Sequence, residues 1–173
     1  MKTVSYICLS LAIVLLLSCS ARRRPCADAW LSYKGNKISL CDDLKKLEKE
    51  YDLSVDEESN YAPDGQERKL DHYWALTDDD LKEKDRFYQT CSIAAAFDRK
   101  TGLLSEIDIM YFFWGKVTAD DLNRLSKRTY LGKFKKRKTP FSVDEGNVHY
   151  EVSIQAGEGG TSQTVHYIIQ YKD

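Results

Sequence analysis

The chain has 173 residues and carries 26 Lys and Arg against 27 Asp and Glu, a formal charge of −1. Such a balance argues against general nucleic-acid binding, which needs a basic surface, and the length suits one domain with a real core. Five cysteines with no Cys-x-x-Cys spacing give zinc-ribbon and thioredoxin-type chemistry no foothold.

Residues Val4 to Leu17 form an apolar run, interrupted only by Ser5 and Ser10, behind a single Lys2. A membrane-crossing helix needs about 20 apolar residues, and this run is shorter. A basic start, an apolar centre and small residues at the end describe a secretory signal. Leu16-Leu17-Ser18-Cys19 has the form of a bacterial lipobox, in which the Cys19 thiol is lipidated and the chain is cut before it. The reading is then a leader over 1–18, a lipidated tether over 19–29 and a single domain over 30–173. Cleavage near Ala21 and an uncleaved signal anchor are the alternatives. Losing Lys2 takes the formal charge from −1 to −2. An anchor with more than one acyl chain holds a protein stably at a membrane. Cys8 leaves with the leader, so Cys26, Cys41 and Cys91 remain. An exported protein can keep a disulfide; Cys41–Cys91 and Cys26–Cys41 both stand, as does a buried thiol for any of the three.

From Trp30, "WLSYKGNKISL" reads as two strands about a Gly35-Asn36 turn. "DDLKKLEKEYDL" follows as a short amphipathic helix, with Leu44, Leu47 and Tyr51 on one side and Asp42 and Asp43 at its entrance. Residues 54–70 read as an exposed loop, "HYWAL" as a strand, and "TDDDLKEKD" as a capped turn of helix or an acidic loop. Period two then takes over. Phe87, Cys91, Ile93, Ala95 and Phe97 share a face, "DRKTG" closes a hairpin, and Ile107, Ile109 and Tyr111 return opposite Glu106 and Asp108. "TADDLNRLSKRTY" is a second helix with Thr118 as N-cap. The clearest alternation comes last. Val148, Tyr150, Val152 and Ile154 run out, "AGEGGTSQ" turns, and Val165, Tyr167, Ile169 and Tyr171 return. The expected fold is α+β: a mostly antiparallel sheet with two short helices on one face. The Asp-Asp-Leu-x-x-Leu-x-Lys pattern shared by both helices raises the prospect of two related halves.

Catalytic patterns are sparse. His149 and His166 fall on one polar face of the last hairpin, but if Gln155 faces Thr164 they stand four positions apart, roughly 13 Å, too far to share a metal at bond lengths of about 2 Å. No Gly-x-Ser-x-Gly elbow occurs. Cys91 lies on the expected buried face, where thiols are inert, and "GEGG" lacks the lysine and helix of a phosphate loop. The acidic runs at 56–58 and 78–80 lack the alternating ligands of a calcium loop. No catalytic, metal or cofactor residues are assigned. The enzymatic alternative is a non-standard site, for instance one built from Asp71, His72 and Glu106. "KFKKRK" places Lys133, Lys135, Lys136, Arg137 and Lys138 around Phe134; it reads first as a solvated connector, and its charge also suits anionic head groups or an acidic partner. "MYFFWG" with Trp30, Tyr73 and Trp74 is more aromatic surface than a small fold buries, which leaves Trp74 and Trp114 as partner contacts.

As a whole, the leader, "LLSCS", short tether and body resemble the small lipoproteins of Bacteroidota-type bacteria. Within the body, "YKGNKISLCDDLKKLEKEY…HYWAL…IDIMYFFWGKVTADDLNRL" is similar to an uncharacterised family of bacterial α+β domains. Gly35, Ile38, Leu44, Leu47, Trp74 and Gly115 stand at its matching positions, while Tyr51-Asp52 replaces its glycine after the first helix. The resemblance covers some 90 residues and has no catalytic residues to carry over. It implies a lipoprotein or an immunity protein of a contact-dependent toxin system. The resulting expectation is a lipid-anchored, non-enzymatic protein of the bacterial envelope, on the outer membrane facing the periplasm. It binds a protein partner and takes no nucleic acid or small-molecule cofactor. A structural lipoprotein of outer-membrane or peptidoglycan assembly is the alternative, with an envelope hydrolase more distant.

Overall fold

A computed structural model describes residues 29–61, 65–77 and 87–172. The expected leader and Cys19, the expected tether up to residue 28, part of the "APDGQ" loop and the 78–86 acidic segment lie outside the described residues.

The first described residue is already packed. Ala29 is buried and its carbonyl accepts from the Leu40 N–H at 3.1 Å. β1 (Trp30–Tyr33) and β2 (Asn36–Ser39) form a hairpin around Lys34 and Gly35, with φ of 49° and 80°. Asn36 pairs with Tyr33, so the two-residue turn lies one residue earlier than the Gly-Asn signal implied. α1 (Leu44–Tyr51) starts where Asp43 accepts from the Lys46 N–H at 2.9 Å, and it ends at Asp52 in the left-handed region. The expected loop over 54–70 instead contains β3 (Ser54–Val55) and one turn of helix, α2 (Glu57–Asn60), capped by Asp56. β4 (Leu70–Leu76), β5 (Thr90–Asp98) and β6 (Leu104–Trp114) follow as antiparallel neighbours.

α3 (Ala119–Arg128) opens on a full capping box: Thr118 accepts from the Asp121 N–H, and Asp121 accepts from Thr118. The short β7 (Thr129–Tyr130) comes next, then a 3₁₀ turn over Gly132–Phe134. β8 (Phe141–Glu145), β9 (Val148–Ala156) and β10 (Ser162–Tyr171) complete the chain.

The strands build two antiparallel sheets. One has seven strands in the order β3-β4-β5-β6-β10-β9-β8, and the other has three in the order β2-β1-β7. The expected α+β fold is therefore corrected. The molecule is mostly β, a sandwich-like packing of a small sheet on a large one, with short helices filling in beside it. The signal for the extra strands was weak for a physical reason. β3 and β7 have two residues each, too few to show a period, and β8 ends in exposed charges. Nor are there two related halves. The matching aspartates play different parts, since Asp43 is itself an N-cap while its counterpart Asp121 is the third helical residue behind the cap Thr118. The hairpin before α1 belongs to the small sheet, and the strands before α3 belong to the large one.

The core lies between the sheets. Cys91, Ile93, Ala95 and Phe97 of β5, Ile107, Ile109 and Tyr111 of β6, Tyr150 and Val152 of β9, and Val165, Tyr167 and Ile169 of β10 are buried on the inner face. Leu31 and Tyr33 of β1, Ile38 of β2, Leu47 of α1 and Leu125 of α3 meet them. Alternation with period two put these residues inward. Polar links cross the layer as well: Tyr33 Oη lies 3.0 Å from Thr77 Oγ1 and 3.3 Å from Cys91 Sγ, and the Tyr111 hydroxyl pairs with that of the fully buried Thr129.

The cysteines are settled in part. Cys91 keeps its thiol, 1% exposed, with Sγ 3.3 Å from Tyr33 Oη. Cys41 is disulfide-bonded, and its partner lies outside the described residues. The Cys41–Cys91 pairing is thus corrected: Cys91 points inward from the middle of the large sheet, whereas Cys41 is exposed just before α1.

Candidate functional site

Because side chains alternate along a strand, the residues between the core positions of the large sheet face the other way. Strand register assembles them in rows. Glu106, Gln170, His149 and Asp144 lie abreast across β6, β10, β9 and β8. Asp108, Ile168 and Glu151 form the next row, and Met110, His166 and Ser153 the one beyond. Thr164 faces Gln155, so His149 and His166 are four positions apart, the spacing expected from sequence.

These groups form two small networks. His166 donates from Nδ1 to Asp108 Oδ2 at 2.7 Å, with side chains 12% and 14% exposed. His149 sits between carboxylates, with Nδ1 2.6 Å from Asp144 Oδ1 and Nε2 3.2 Å from Glu151 Oε2. Carboxylates only accept, so both bonds form together only with the imidazolium. Lys172 caps Asp144 at 2.8 Å, and Gln170 donates to Glu106 at 2.8 Å. Burial, then the neighbouring Asp108, pushes the Glu106 carboxyl above the usual range; burial does the same to Asp108, against the pull of His166. At the rim the sign reverses, because Lys172 and His149 hold Asp144 below the usual range.

Asp108, His166 and Ser153 lie on three adjacent strands, in the order of an acid, a base and a hydroxyl nucleophile. The geometry does not complete a triad. Ser153 Oγ is buried and makes no hydrogen bond to His166, so the base–nucleophile link of a triad is absent among the described residues. The hydroxyl turns instead to Glu151, whose carboxyl is held below the usual range by Ser153 first and His149 second.

Beside this polar zone runs an apolar stripe. On β4, Trp74 and Leu76 are 43% and 49% exposed; Met110 and Phe112 of β6 lead on to Trp114, 73% exposed. Ser92, Ala94 and Ala96 of β5 separate the two strands with small side chains. Trp74 stands level with Asp108 through Ala94, so Trp114 lies about 20 Å further along the strand direction. The two tryptophans mark the ends of the stripe. Tyr111 and Phe113, from the same aromatic run, went into the core.

The alternative set of Asp71, His72 and Glu106 is not assembled. Asp71 pairs across from Phe97 on the inner face and binds Arg99 Nε at 2.7 Å. His72 shares the outer face with Glu106, but β5 separates them by two strand spacings, about 10 Å. Asn60 Oδ1 accepts from the His72 N–H at 2.8 Å and lies 3.2 Å from Nδ1, and burial, followed by Arg68, lowers the His72 pKa. Among the described residues, no group of three or more His, Cys, Asp or Glu has metal-binding geometry.

The basic segment lies on the other side of the large sheet. Phe134 is buried against the inner-face Tyr150, with ring centroids 4.7 Å apart, and it holds the segment down. Lys133 pairs with Glu145. Arg137 lies over Phe134 and Phe141 at 5.2 and 5.7 Å, and Lys135 over Tyr130 at 5.7 Å. Lys135, Lys136, Arg137 and Lys138 are exposed, flanking a groove against Leu122, Asn123 and Ser126 of α3. The segment connects β7 to β8 with its cations exposed, pinned to the body by Phe134.

The His166–Asp108 pair escaped the sequence reading, although both polar faces were visible in it. The missing information was that β6 and β10, with a helix and three strands between them in the chain, are neighbours. No protein-family model, curated protein or solved structure matches this chain.

Proposed function

We propose that the protein is a lipid-anchored, non-enzymatic component of the bacterial envelope that binds a protein partner on the outer face of the large sheet, in the manner of an immunity protein. The observation that carries this reading is one face holding both an exposed apolar stripe, Trp74 to Trp114, and a band of carboxylates, Glu106, Asp108, Glu151 and Asp144. Exposed tryptophans are the commonest anchors of protein interfaces. Acidic groups beside them select a partner with a basic, partly apolar surface and speed its approach.

The disulfide at Cys41 supports an exported protein. If Cys19 carries lipid and Cys8 leaves with the leader, Cys26 is the thiol left to pair with Cys41, as a tether clamp beside α1.

A contact-competition assay tests the proposal. Cells lacking the gene should be outcompeted by toxin-delivering siblings, wild type should restore them, and a Trp74→Asp/Trp114→Asp variant should not. A photo-crosslinker at position 114 should trap one protein, and Asp108→Lys/Glu151→Lys should abolish the adduct. Equal fitness together with a leaky envelope would instead favour the structural role.

A further inference from the structure

We propose that the basic segment 133–138 lies against anionic lipid head groups of the membrane that holds the Cys19 anchor, so that the acidic sheet face turns away from the bilayer. This rests on the anchor reading above, and it adds an orientation to it.

Three observations converge. The first is where the chain enters the fold. Trp30, two residues after the tether leaves the undescribed segment, stacks edge-on against Tyr130 with centroids 5.4 Å apart. Its indole also fills the space at Gly132, where a Cβ would come within 3.1 Å of Trp30 Cε2 and where φ is 44°. The tether therefore joins the body next to Lys133 and Lys135. Residues 20–28 span at most about 30 Å when extended, so the basic segment stays close to the surface that holds Cys19.

The second is the availability of charge. Lys135, Lys136, Arg137 and Lys138 make no ion pair among the described residues. Lys37 adds a cation over the Trp30 ring at 4.8 Å. The packed Phe134 and the stacked Arg137 and Lys135 hold these groups outward on a rigid body, so little freedom is lost on contact. Each such cation near an anionic surface strengthens binding by roughly fivefold.

The third is polarity. Glu106, Asp108, Glu151 and Asp144 project from the opposite side of the large sheet to the one that Phe134 packs on. The exposed cations of 135–138 thus sit beside the tether, and this band of carboxylates sits away from it. An anionic bilayer attracts the first and repels the second.

The test uses the full lipidated protein reconstituted into phosphatidylcholine vesicles, with or without 30 mol% (~) phosphatidylglycerol, and reads lysine acetylation by mass spectrometry. The internal reference is Lys172, whose amine meets Asp144 on the acidic side. The expected result is a loss of at least about fivefold in labelling at Lys135, Lys136 and Lys138 relative to Lys172 on the anionic vesicles. High salt should restore it. Lys136→Glu/Lys138→Glu should float with neutral vesicles like wild type, yet lose the protection of Lys135 on anionic ones. Equal labelling on both vesicles, or protection that survives in the variant, would overturn the orientation. Failure to float with neutral vesicles would instead strike the anchor itself.

Discussion

Glu106 shows how the site departs from an ordinary solvated surface. Its carboxyl is raised by burial first and by Asp108 second. The folded state then binds this proton more tightly than the unfolded chain does, so the stability it contributes is present at low pH and is lost as pH rises through the raised value. Glu106→Gln keeps the shape and removes the charge. It should stabilise the protein by about 1 kcal/mol at pH 8, with the gain vanishing below about pH 4, near the ordinary carboxylate range; melting temperatures across pH check this. Asp144 titrates with the opposite sign, because a lowered pKa contributes above the ordinary value and is lost on acidification. Inside the core, Tyr111→Phe leaves the Thr129 hydroxyl unpartnered at 0% exposure, at a cost of about 1–3 kcal/mol. Adding Thr129→Val should recover most of that loss, and a double-mutant cycle by urea unfolding measures it. At this scale the sequence disclosed which side of each strand a residue takes. It could not disclose that Asp108 meets His166, because their contact depends on a strand pairing 58 residues apart.

Among the elements, legibility followed length. β5, β6, β9 and β10 have 9 to 11 residues with core residues recurring at every second position through their centres, and both longer helices opened on caps visible in the sequence. Thr118→Ala should cost about 1 kcal/mol by removing half of the capping box at α3. Leu125→Ala, emptying a fully buried site on that helix, should cost about 2–5 kcal/mol; denaturant midpoints separate the two. The elements that escaped were β3, α2 and β7, of two to four residues, and β8, whose Phe141 and Val143 reach the core while its end carries Asp144 and Glu145. Such pieces form because neighbours supply their hydrogen bonds and burial, and nothing in their own composition announces it. Missing them turned a two-sheet molecule into an expected single sheet with helices.

As a whole, the molecule is organised by the large sheet. One face builds the core with the small sheet and helices, and the other carries the acid–histidine networks and the apolar stripe. The basic segment and the start of β1 sit together on the covered side. That separation of charge suits a body held at a surface by one side and read by a partner on the other. The whole arrangement depends on the chemistry of position 19. Intact-mass analysis of the protein purified from bacterial envelopes addresses it most directly. The expected mass is that of a chain beginning at Cys19, acylated, and two hydrogens lighter for a Cys26–Cys41 disulfide. A chain that retains its leader, or a mature start elsewhere without acyl groups, would contradict the account.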